Sequence, residues 1–88
     1  MDDREEFLRN NIASIAETAF PDSMGNEWII HSIMEHEKGL AVEVEPSPNK
    51  VGYSRFRLIF QFKQPDRADI IECYVPDESG NWVLLFTH

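Results

Sequence analysis

A single cysteine, Cys73, is all the thiol this chain has, so no disulfide can form within it and nothing in it requires an oxidising compartment. Long apolar runs are missing as well; the uninterrupted stretches are short against the ~20 residues that a membrane-crossing helix needs. The opening Met1-Asp2-Asp3-Arg4-Glu5-Glu6 is the reverse of the basic start of a secretory leader, and no apolar segment follows it. A soluble, cytoplasmic protein is the expectation. Positive charge is scarce: eight Lys and Arg stand against sixteen Asp and Glu, for a formal net charge of −8. Such a field repels nucleic-acid phosphates and anionic lipid surfaces, and it favours either solubility or a basic partner.

Motifs that carry chemistry are also absent. The four glycines stand singly at turns, so there is no phosphate cradle. No Gly-x-Ser-x-Gly elbow occurs, and Glu72 beside Cys73 disfavours a thiolate if the two charges sense each other. His31 and His36 are five residues apart on an expected strand and so point to opposite faces, while His88 is the last residue. Zinc needs three or four converging ligands, and this spacing does not supply them. The carboxylate pair Glu43 and Glu45 is expected opposite arginines, and Asp77 with Glu78 lies in a turn without apolar walls to raise a pKa. No catalytic residue, metal or cofactor is therefore expected, and the chain is read as no enzyme.

What is present is a fold pattern. With 42% hydrophobic residues, six Phe and two Trp, the 88 residues hold enough apolar material for one small domain spanning 1–88. Residues 2–20 read as an amphipathic helix, with Leu8, Ile12, Ile15 and Ala19 at spacings of four, three and four, Ala16 beside them and Phe7 on the flank. Asp3 and Glu6 have the spacing of a capping box, and Pro21 ends the helix. Strands are expected at about 27–36, 40–45, 53–62, 68–75 and 82–87. The centre is 53–62, where Phe56, Leu58, Phe60 and Phe62 recur every second residue between Arg55, Arg57 and Gln61. In 27–36 both sides are partly apolar, so its core-facing side is open. The Pro46–Gly52 loop closes a hairpin in which Val44, Val42 and Leu40 face Phe56, Leu58 and Phe60, while Glu45 and Glu43 face Arg55 and Arg57. Pairing Val75 with Trp82 sets Cys73 opposite Leu84 and Ile71 opposite Phe86. The fold class is α+β: an N-terminal amphipathic helix on one face of a four- to five-stranded antiparallel meander.

One expectation bears on function. In that register the sheet face away from the helix carries Ile59, Ile70, Tyr74, Val83 and Leu85, a candidate interface, unless the sheet curls over both faces or the fourth strand is out by one. The leading reading is a small acidic, non-catalytic protein that binds another protein, as an adaptor, regulator or inhibitor, or a second copy of itself. An alternative is a small-ligand-binding or enzymatic domain with a pocket lined by Phe7, Ile15, Trp28 and Phe60. A further alternative is an acidic inhibitor of a nucleic-acid-binding protein. Direct contact with nucleic acid or membrane is not expected.

Overall fold

The computed structural model describes residues 2–48 and 52–88; the middle of the expected 46–52 loop lies outside them. Helix α1 (Asp3–Ala19) leads through a 3-10 turn (Pro21–Ser23) into β1 (Glu27–His36), β2 (Gly39–Ser47), β3 (Phe56–Gln64), β4 (Arg67–Pro76) and β5 (Trp82–Thr87). The strands form one antiparallel sheet in the order β1-β2-β3-β4-β5, so consecutive strands are neighbours and β1 and β5 are its edges. The fold is α+β, a helix on a five-stranded meander. No helix among the described residues is long and apolar enough to cross a membrane.

Helix α1 starts one residue earlier than the capping-box spacing suggested. Asp2, not Asp3, is the cap: its Oδ1 accepts from the Arg4 backbone N–H at 2.7 Å. The Arg4 guanidinium lies 3.2 Å from the same carboxylate, which is held below its usual pKa mainly by that hydrogen bond. Arg4 also contacts Glu35 of β1 and sits over the Phe62 ring, tying the start of the helix to the sheet. Leu8, Ile12 and Ala16 are fully buried on the sheet, with Ile15 and Ala19 partly so.

Between them, helix and sheet bury Trp28, Leu40, Val42, Val44, Phe56, Leu58, Phe60, Ile70, Cys73 and Val75. At one end Phe20, which closes the helix, packs against Trp28, Phe56 and Phe86 with ring centroids 4.9–5.8 Å apart. The central hairpin has the register expected: Leu40, Val42, Glu43 and Val44 pair with Phe60, Leu58, Arg57 and Phe56. The outward ion pairs do not follow from it. None of the ion pairs among the described residues includes Arg55 or Arg57, and Glu45 instead meets His31 Nε2 at 2.9 Å. Cross-strand neighbours at the Cα level leave long side chains free to point along the strand, and β3 begins only at Phe56, after Arg55.

Four bulges interrupt the sheet among the described residues; one, at Lys63, lies near the end of β3, and the other three set the faces of the other strands. His31 is the extra residue between the Ile30–Val44 and Ser32–Glu43 pairs. Trp28 and Ile30 therefore face the helix before it, and Ile33, paired with Val42, does so after it. This is why both sides of β1 read as partly apolar. A second bulge, at Ile71, lies between the Ile59–Glu72 and Phe60–Ile70 pairs, and a third, at Leu85, between Cys73–Phe86 and Tyr74–Leu84. The observed Val75–Val83 and Cys73–Phe86 pairs replace the expected Val75–Trp82, Cys73–Leu84 and Ile71–Phe86.

Candidate interaction surface on the outer sheet face and edge strand

The bulges redistribute the residues expected to form an exposed apolar patch. Ile70 pairs with Phe60 and is buried under the helix, because the extra residue at Ile71 reverses the side on which it points. Ile59 does lie on the outer face, in the row Ala41–Ile59–Glu72, but it is only 1% exposed. Tyr74 is outward and half-buried. Val83 pairs with Val75, on the helix side, yet is 46% exposed at the margin the helix does not reach. Leu85 is the bulge residue and is 39% exposed. Leu84, expected in the core, is instead outward beside Tyr74 and 48% exposed. Five residues do not make one outer patch. Three consecutive exposed apolar residues, Val83, Leu84 and Leu85, lie on the edge strand β5, on both of its sides; Met24, Ile29, Met34 and Tyr53 are exposed elsewhere, Ile29 and Met34 on the opposite edge β1.

Polar side chains close over Ile59. Glu72 is the cross-strand partner of Ile59, and it receives both the Tyr74 hydroxyl, which donates to Oε1 at 2.6 Å, and the Lys38 ammonium from the β1–β2 turn. The Lys38–Glu72 pair therefore spans β2 and β3 over the row that Ala41 and Ile59 occupy. The consequences for protonation are mutual. Lys38, then Tyr74, holds the Glu72 carboxyl below its ordinary value; Glu72 raises Lys38 and keeps the Tyr74 phenol protonated above its own. Beside this network His36, Arg57, Ile59, Tyr74 and Trp82 line a hollow of about 220 Å³.

Trp82 is set in place by the β4–β5 turn. Asp77 Oδ1 accepts from the Ser79 and Asn81 backbone N–H groups at 2.8 and 2.9 Å, Asp77 N–H donates to the Asn81 carbonyl at 2.8 Å, and Gly80 supplies the positive φ of +85°. From Trp82 to Thr87 the strand carries no charged side chain, whereas the opposite edge, β1, carries Glu27, His31, Glu35 and His36. Compared with family models, characterised proteins and solved structures, the chain matches none.

Two further places were open to chemistry. Cys73 faces the helix and is fully buried; burial pushes its thiol up to about 12, so it is protonated and inert at neutral pH. Glu72, its neighbour in sequence, points to the other face. The space between α1 and β4 is a hollow of about 340 Å³ whose lining includes Phe7, Ile15, Ile70 and Asp69. Of the four residues expected around such a pocket, Phe7 and Ile15 are there, while Trp28 and Phe60 are in the core instead. Its amide and its threonine hydroxyl serve the helix: Asn11 Nδ2 donates to the Phe7 carbonyl at 2.9 Å, and Thr18 Oγ1 to that of Ser14 at 3.4 Å.

Proposed function

We propose that this chain is a small non-catalytic protein that works by binding protein, through edge strand β5 and the outer face beside it. The observation that carries this reading is the combination of position and composition at Val83, Leu84 and Leu85. An edge strand presents unpaired N–H and C=O groups, and natural proteins blunt such edges with lysine, proline or charge. Strand β5 has no lysine, proline or charged side chain, its one irregularity being the bulge at Leu85, and its three central apolar residues are 39–48% exposed.

The occupant that fits best is a second copy. Antiparallel pairing of two β5 strands meets apolar side chains with apolar side chains and sets no charged side chain of β5 against another, while elsewhere two chains of net charge −8 repel. The hollow between α1 and β4 supports a small-ligand reading less well, because its amide and threonine hydroxyl are already used by α1. An acidic inhibitor of a nucleic-acid-binding protein would want its carboxylates gathered, and here they are spread over the helix, the turns and three strands. A cytoplasmic location accords with the lone cysteine.

Sedimentation velocity over a range of concentrations tests the proposal, with Val83→Lys and Leu84→Lys as variants and circular dichroism as the folding control. Wild type is expected to pass from monomer to dimer, and each lysine to weaken that association by about tenfold or more without loss of fold. A wild-type chain that stays monomeric throughout, or lysine variants that dimerise as well as it does, would overturn the self-pairing.

A further inference from the structure

Independently of β5 pairing, we infer that the hollow beside Glu72 is a binding site for a small planar carboxylate. Within a chain of net charge −8, its lining of His36, Arg57, Ile59, Tyr74 and Trp82 contains no acidic residue. It is also a lining of donors. Arg57 has Glu43 as its cross-strand neighbour, but no carboxylate lies within 4.0 Å of its guanidinium, since none of the ion pairs among the described residues includes it. His36 Nδ1 accepts from the Lys38 backbone N–H at 3.1 Å, which places the proton of the neutral ring on Nε2 and makes that nitrogen a donor. The Trp82 indole can only donate. The Tyr74 hydroxyl is committed to Glu72, so the aromatic ring is what it offers.

Donors without a facing acceptor call for a ligand that accepts, and a guanidinium is matched in shape by a carboxylate. The rest of the lining describes the body of that ligand. Ile59 is an apolar floor held closed by its surroundings, and Tyr74 and Trp82 supply two ring faces. The volume of about 220 Å³ is smaller than the roughly 300 Å³ at which drug-sized sites begin, so the body is one ring rather than several. The Lys38–Glu72–Tyr74 network lies beside the site and commits the Glu72 carboxylate, on the strand next to Arg57, to Lys38 and Tyr74.

Benzoate is the probe, and benzamide its uncharged counterpart. In an amide-correlation NMR titration the chain's two indole N–H signals report separately, and Trp82→Phe assigns them. Benzoate is expected to move the Trp82 signal saturably, with a Kd of about 0.1–1 mM for so small a ligand, and to leave buried Trp28 in place. Benzamide is expected to bind about tenfold more weakly, as is benzoate to Arg57→Gln. A Trp82 signal unmoved by benzoate at tenfold that Kd overturns the site. Equal binding of benzoate and benzamide to the wild-type chain overturns its preference for an anion, and this comparison needs no variant to fold.

Discussion

At Gly39 the backbone has a φ of +152°, and a Cβ placed there would lie 1.9 Å from the carbonyl oxygen of Phe60. Both facts come from one cause. The β1–β2 turn delivers the chain into β2 directly over the central strand, where Leu40 pairs with Phe60, the ring at the centre of the core. A methyl group at Gly39 therefore meets a conformational penalty and a backbone atom that cannot step aside. Gly39→Ala is expected to cost roughly 3 kcal/mol or more, read by chemical denaturation. A variant within about 0.5 kcal/mol of wild type would show that β2 and β3 approach less closely than this. Glycines 25 and 80 also have positive φ, but open space surrounds them, so only the conformational part of the cost applies there.

Among the elements, the tie between the β1–β2 turn and β4 makes a pH-dependent contribution. The Glu72 carboxyl is held below its ordinary value near 4.5, first by the hydrogen bond from Lys38 and then by that from Tyr74. A carboxyl whose folded pKa is depressed stabilises the fold fully above its unfolded value, and that stabilisation is lost as pH falls through the folded one. Glu72→Gln should therefore melt below wild type at neutral pH, and the gap should narrow as the pH is lowered past the ordinary glutamate value. Thermal unfolding of both proteins at a series of pH values measures this. A gap that stays constant down to acid pH would mean that the carboxylate charge of Glu72 contributes nothing there. The variant also loosens the cover over Ile59, so Ile59→Lys, which places a charge in a fully buried site, is a test of the core and not of an interface.

For the whole molecule, net charge decides how association responds to salt. Two chains of −8 repel at a distance, and the β5 edge carries no charged side chain that would add to this repulsion. Added salt shortens the reach of that repulsion, to about 10 Å at 0.1 M, while apolar contact at the edge is little affected. Self-association through β5 should accordingly strengthen as salt rises from low to moderate ionic strength, measured by the dimer fraction in sedimentation. Binding to a basic partner would weaken over the same range. A dimer that dissociates on adding salt would point to an interface held by opposite charges rather than to paired β5 edges.

The alternations and turns of this chain were legible from residue order alone because they depend on neighbours. Period two at Phe56–Phe62 and Leu40–Val44, the helical spacing from Leu8 to Ala19, and Asp77 to Asn81 as a turn are local patterns. They yielded the five strands, two of them with the observed ends, and the register of the central hairpin. The bulges at His31, Ile71 and Leu85 were not legible, since an extra residue in a strand exists only relative to the partner that lacks one. Two of the three decided the surface: they turned Ile70 into the core and Leu84 out of it. Which strand is an edge also has no local signature. Residue order put Leu84 in the core and Val83 and Leu85 on the outer face; in the sheet all three lie on the edge strand and are exposed. The cover over Ile59 and the donor-lined hollow beside it join residues from β1, β3, β4 and β5 with a lysine in a turn. Those parts of the sequence become one site only when the sheet brings them together.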